Sequence, residues 1–138
     1  MKNPIVHFEI PADDVERAKA FYTKTFDWDI SKFDMPAEGS TGGDPYYIVR
    51  TAETDEDHMV KTPGAINGGM MKRKDPNQPF MNYISVDSIE KTIEDIQSNG
   101  GEVLMPKTEV APNMGWIAAF KDTEGNLMGL HEYAKKEK

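Results

Sequence analysis

The amino-acid sequence predicts an α+β fold made of two tandem βαβββ modules, on three observations. Asp13-Asp14-Val15-Glu16-Arg17-Ala18 is answered 74 residues later by Asp87-Ser88-Ile89-Glu90-Lys91-Thr92, and the same spacing sets Ile10 over Ile84 and Ile30 over Leu104. Each copy is preceded by a strand-like segment and followed by three more. One such half leaves a sheet face too small to be stable alone, so the two halves must pair. The expected architecture has helices on one side of curved mixed sheets and a cup on the other. Residues 1–138 then form a single domain, with module 1 at about 4–73, module 2 at about 78–134 and a charged tail at 135–138 that frays.

Ile5 to Ile10 reads as a strand with His7 and Glu9 on one face and Val6, Phe8 and Ile10 on the helix side, by the two-residue period. Asp13 is placed to cap the following helix, with Glu16 completing a capping box, and Val15, Ala18, Phe21, Tyr22 and Thr25 recur at helical spacing until the helix ends near Phe26. Trp28 to Phe33 and Tyr46 to Thr51 are strand candidates on either side of a turn-rich stretch from Pro36 to Pro45. The acidic run Glu53 to Asp57, with His58 after it, reads as an exposed loop. Ile66 to Lys72 can form a strand, but Gly68 and Gly69 inside it need a reason, such as a bulge or a group packed close to the backbone. The tight basic cluster Lys72-Arg73-Lys74 reads as a solvated loop.

Module 2 begins with a strand from Phe80 to Val86. Asp87 and Glu90 form the second expected capping box, and Ile89, Ile93 and Ile96 mark the buried stripe of a helix. Asn99-Gly100-Gly101 ends that helix with residues tolerant of positive φ. Strand candidates follow at Glu102 to Met105, Gly115 to Lys121 and Leu127 to Tyr133.

The composition narrows the chemistry. Sixteen Lys plus Arg against twenty-four Asp plus Glu give a formal charge of −8, which makes the phosphate backbone of a nucleic acid an unsuitable partner. There are no cysteines, so disulfides, thiolate catalysis, iron–sulfur centres and Cys-based zinc sites are excluded together. The first ten residues hold no apolar run of signal-peptide length, and no stretch reaches the length of a membrane helix, so the expected location is the cytoplasm. Gly39 to Gly43 has no lysine followed by Ser or Thr, and no dinucleotide fingerprint occurs.

His7 to Tyr22 (HFEIPADDVERAKAFY), Phe26-Asp27-Trp28, Val86-Asp87 leading into a helix that closes on Asn99-Gly100-Gly101, and Gly115-Trp116 leading to Lys121-Asp122-Thr123-Glu124-Gly125-Asn126 together resemble the vicinal oxygen chelate superfamily. That superfamily includes glyoxalase I, bleomycin-resistance proteins and extradiol dioxygenases, and the resemblance runs from His7 to Tyr133. It implies paired βαβββ modules forming a cup with a divalent metal at its floor, and commonly a homodimer. Carried over position by position, the metal ligands fall on His7, Met81, Gly68 or Gly69, and Gly129, so one of four positions keeps a metal-binding side chain. Zinc, nickel and iron ions need about three His or carboxylate donors, so no cofactor is expected at the usual site. A displaced metal site of His7, Glu9 and His131 is the alternative, strained because same-face residues on one strand lie about 7 Å apart.

The expected catalytic residues are His7 as general base, Glu9 tuning it and Tyr83 as a hydrogen-bond donor. Each also has a structural reading. His7 can be a hydrogen-bonded histidine at the cavity floor, and Tyr83 with Met81 and Ser85 can be core. His131 can be structural or exposed. Tyr47, Asn67, Met81, Trp116 and Gly129 are the expected ligand-binding positions, offering aromatic and thioether surface, one amide, and open space at the glycine. The resulting expectation is a glyoxalase-like protein that binds a small organic molecule without the usual metal. A metal-dependent lyase, isomerase or dioxygenase and a non-catalytic drug-sequestering protein are the alternatives.

Overall fold

The computed structural model describes all residues except 1, 38, 40, 42, 58 and 135–138, so His58 and the charged tail lie outside the described residues. Eight strands and two helices follow one another as β1 (Ile5–Ala12), α1 (Val15–Phe26), β2 (Asp29–Phe33), β3 (Tyr46–Arg50), β4 (Gly68–Lys72), β5 (Met81–Ser85), α2 (Ile89–Ser98), β6 (Glu102–Glu109), β7 (Trp116–Lys121) and β8 (Leu127–Glu132). The α+β class and the twice-repeated strand–helix–three-strand order are those the sequence predicts. The described chain packs as two compact units, one of residues 7–34 and 45–80 and one of residues 1–6, 35–44 and 81–138.

Each unit contributes a mixed run of four neighbouring strands, in the order β2-β3-β4-β1 in one and β6-β7-β8-β5 in the other. The first strand of each runs parallel to the last, β1 with β4 and β5 with β8, and the remaining pairs are antiparallel. A parallel pairing of first and last strands needs a crossover, which the helix and the intervening strands supply. The register aligns Ile10 with Met70 and Ile84 with Leu130, so equivalent ladders recur in the two units, with the 74-residue spacing kept between β1 and β5 and shortened to 60 residues between β4 and β8.

Both helices begin one residue later than the capping-box reading expects. Asp14 caps α1 by accepting from the Arg17 amide at 3.0 Å, and Ser88 caps α2 by accepting from the Lys91 amide at 3.2 Å. The side chain of an N-cap reaches the amide three residues on, and Asp13 is drawn instead to the Arg73 guanidinium at 3.0 Å. Arg73 also donates to the Gln78 and Pro11 carbonyls, so this arginine ties the segment after β4 to the end of β1. The reading of Lys72-Arg73-Lys74 as simply solvated is corrected at Arg73. Asp27 closes α1 in the left-handed region at φ 59°, and Gly100 at φ +97° closes α2.

Each sheet buries one face under its helix. Ala12, Ile30, Val49 and Met70 form the core beneath α1, joined by Phe8, Ile10, Tyr22, Trp28 and Tyr47. The Tyr22 and Trp28 rings stack with centroids 5.0 Å apart. Val86, Ile89, Ala118 and Leu130 form the second core, joined by Ile84, Ile93, Ile96, Trp116 and Phe120. β6 runs past the expected end at Met105 to Glu109, with register shifts on both sides of Met105. Pro106 has no amide to give the ladder, so the strand continues only by slipping register, which an edge strand tolerates. Among the described residues no helix is long and apolar enough to cross a membrane.

Candidate functional site

The open face of the first unit collects three polar side chains from two strands. His7 and Glu9 alternate with the core residues Phe8 and Ile10, which turns them away from α1. On β3, Tyr47 and Val49 belong to the core, so Tyr46 and Ile48 face the other way. Tyr46 donates its hydroxyl proton to the Glu9 Oε2 at 3.2 Å, and its oxygen lies 2.8 Å from His7 Nε2. A phenol has one proton to give. With that proton on Glu9, His7 must be the donor at Nε2, and the three groups form a directed run from imidazole through phenol to carboxylate. All three residues are half-buried, a setting in which hydrogen bonds are stronger than in bulk water.

The two consecutive glycines of β4 make this arrangement fit. They point to opposite faces, and each receives a ring. A Cβ on Gly68, which pairs with Phe8, would strike the Phe8 ring on the helix side. A Cβ on Gly69, which pairs with Glu9, would overlap the Tyr46 hydroxyl. The second unit repeats the device on the sheet face turned away from α2, since a Cβ on Gly129 would overlap the ring of its register partner Tyr83. Tyr83 is almost fully buried.

The other expected site residues are distributed as follows. Met81 and Tyr83 alternate with the core residues Ile84 and Val86, placing them on the face of β5 turned away from α2, as Gly129 and His131 are on β8. Tyr47 and Trp116 lie on the helix-covered faces, in the first and second cores respectively, with the Lys107 ammonium 4.8 Å from the Trp116 ring centroid. The Asn67 amide is engaged by its own unit. Its oxygen accepts from the Thr51 and Ala52 amides at 2.8 and 3.0 Å, and its nitrogen donates to the Ala52 carbonyl. His131 packs edge-on against Tyr133, and its Nδ1 is buried with no hydrogen-bond partner among the described residues. Burial pushes its imidazole below the usual range, and the Glu132 charge only partly opposes that.

Two participants escape the sequence reading. Tyr46 stands next to the expected Tyr47, and only the pairing of β3 shows which of the two neighbours faces the core. Glu132 accepts from the Ile89 amide at the start of α2 at 2.8 Å and pairs with Lys107 at 3.2 Å, a role that depends on contacts far apart in the chain.

For the divalent metal implied by the resemblance, the test is the donor set. Among the described residues no three His, Cys, Asp or Glu side chains group to hold an ion. At Gly69 the space that a donor side chain would use holds the Tyr46 hydroxyl, already bonded to His7 and Glu9. The residues present do not fit the metal.

Comparison with known proteins places this geometry in context. The sequence profile of the Glyoxalase/Bleomycin resistance protein/Dioxygenase superfamily matches residues 4–130. A glyoxylase-like domain-containing protein of Didymella fabae is 35% identical over 126 residues, covering 88% of both chains. A candidate glyoxylase of Mycobacterium bovis is 26% identical over 125 residues, and the chain spans 42% of that relative's length. Among solved structures, a methylmalonyl-CoA epimerase from Streptomyces coelicolor in complex with 2-nitronate-propionyl-CoA aligns with TM-score 0.68 over 100% of this chain and 99% of that one. At 15% identity that likeness shows the fold alone.

Proposed function

Because the chain belongs to the Glyoxalase/Bleomycin resistance protein/Dioxygenase superfamily, we propose that it binds a small organic molecule on the open sheet face and moves a proton on it without a divalent metal. The observation that carries this reading is the directed run from His7 through Tyr46 to Glu9. A proton taken up by the His7 imidazole leaves a positive charge that the Glu9 carboxylate balances across the Tyr46 hydroxyl, the arrangement of a general base with an orienting partner. The epimerase among the fold neighbours acts on a CoA ester, and epimerisation is the removal and return of a proton at carbon. We therefore take carbon acids next to a carbonyl as the substrate class to test. The homodimer expected from the superfamily resemblance belongs to the same proposal, and sedimentation of the purified protein tests it.

The decisive experiment follows deuterium incorporation from D2O into a panel of thioesters and 2-oxo acids by proton NMR, with a chelator present. Exchange is expected for at least one compound. His7→Ala should slow it by about 100-fold or more, while Tyr46→Phe, which cuts the run but keeps the ring, should slow it less and shift its pH profile. Saturable binding with no exchange in the whole panel would refute proton transfer and leave sequestration.

A further inference from the structure

The glycine at position 69 has a chemical consequence for cations. The β1–β4 register sets residue 69 beside Glu9 on the face that carries His7, and neighbouring strands are about 4.8 Å apart. A His or Glu at 69 would therefore join His7 and Glu9 as a third donor, the number of protein ligands that an open zinc-type site uses. In this chain the side chain at 69 is absent and the Tyr46 hydroxyl fills the gap, bonded to both remaining donors. A neutral phenol is a poor substitute for a carboxylate or imidazole ligand, and a cation entering there would have to break both of its hydrogen bonds. The second unit has the same substitution. Its alignment by Ile84 and Leu130 makes Tyr83 and Gly129 the counterparts of Glu9 and Gly69, and again a glycine is covered by a tyrosine.

We propose that Tyr46 seated on Gly69 excludes divalent cations from this face, its hydroxyl occupying the place a cation would take between His7 and Glu9. Gly69 is then a specificity-determining position, since it commits His7 to hydrogen bonding instead of metal ligation. The inference rests on the same hydrogen-bonded run as the proton-transfer reading, but its readout is cation uptake. A wild-type protein that takes up no cation and exchanges no substrate proton would overturn the proton-transfer reading alone.

The test titrates zinc and nickel chloride into the wild type and into Tyr46→Ala/Gly69→Glu, with circular dichroism confirming that the variant is folded. The wild type should show no saturable uptake. The double variant should bind one equivalent at least 10-fold more tightly, and adding His7→Ala should abolish that. Side-chain nitrogen NMR of the wild type gives a second measurement that does not depend on the variant. Neutral His7 should carry its proton on Nε2, and zinc should leave its signals unmoved. Stoichiometric uptake by the wild type, a zinc-dependent shift of the His7 signals, or a folded double variant that binds no better than the wild type would each overturn the proposal.

Discussion

Gly129→Ala is the sharpest test of how the second sheet holds its tyrosine. Tyr83 is 4% exposed, and it meets Gly129 directly across the parallel β5–β8 ladder. An added Cβ would lie 2.8 Å from the Tyr83 Cγ and closer still to two other ring atoms, where real contacts begin at about 3.4 Å. The nearest ring atom would lie at 2.4 Å, so the ring must retreat by about 1 Å to regain ordinary contact while its surroundings are packed. Overpacking of this kind costs about 1–3 kcal/mol. The reasoning is specific to the ring, so it predicts a coupling and not merely a loss. In a Tyr83→Ala background, itself destabilised by about 3–5 kcal/mol, Gly129→Ala meets no ring. It should then be neutral or slightly stabilising, because alanine has less chain entropy to lose than glycine. Urea unfolding followed by tryptophan fluorescence and circular dichroism on the four proteins gives the cycle. Equal costs of Gly129→Ala in both backgrounds would refute the steric account, and a neutral effect in the wild type would show that Tyr83 does not sit on the glycine.

Two further outcomes follow from the second unit. Glu132→Ala removes the acceptor for the Ile89 amide and the 3.2 Å partner of Lys107, and should cost about 1–3 kcal/mol in urea unfolding. Glu90 cannot make up the loss because it is largely exposed. His131 sets a pH dependence whose sign follows from its burial, which holds the folded imidazole below the ordinary 6.5. Below that value the unfolded chain binds the proton and the folded one does not, so stability is full above about pH 6.5 and declines as the pH falls towards the folded value. Unfolding midpoints measured from about pH 5 to 8 should show that decline, and His131→Phe should flatten it; an unchanged slope in the variant would assign the decline to another group.

Much of the scaffold is legible because it is local. The alternation of His7 and Glu9 with Phe8 and Ile10 names both faces of β1 before any partner is known. The Asp and Ser residues ahead of each helix locate the helix starts to within one position, and their 74-residue spacing survives the shift from Asp13 and Asp87 to Asp14 and Ser88. What local pattern leaves undecided is a choice between similar neighbours. Tyr46-Tyr47 puts the same side chain on both faces of β3, and only its pairing with the core residue Met70 turns Tyr47 inward. The helix cap supplied by Glu132 spans 43 residues and leaves no periodic trace.

Gly68-Gly69 lies between these cases and shows where sequence reasoning gains most from structure. Two glycines in a strand announce that something approaches the backbone on both faces, since successive residues point oppositely. The sequence cannot say what approaches, because Phe8 and Tyr46 reach the glycines from strands 60 and 23 residues away. Once the rings are placed, Gly69 and the Tyr46 hydroxyl read as one fitted unit: the glycine on β4 leaves room for a side chain reaching over from β3, whose hydroxyl holds His7 and Glu9 in hydrogen bonds. If that is the reason for the glycine, Gly69 and Tyr46 can be exchanged only together. Gly69→Ala alone should displace Tyr46 and release His7 and Glu9, while Tyr46→Ala alone should leave a cavity over Gly69. The paired change is the one that should restore a filled face.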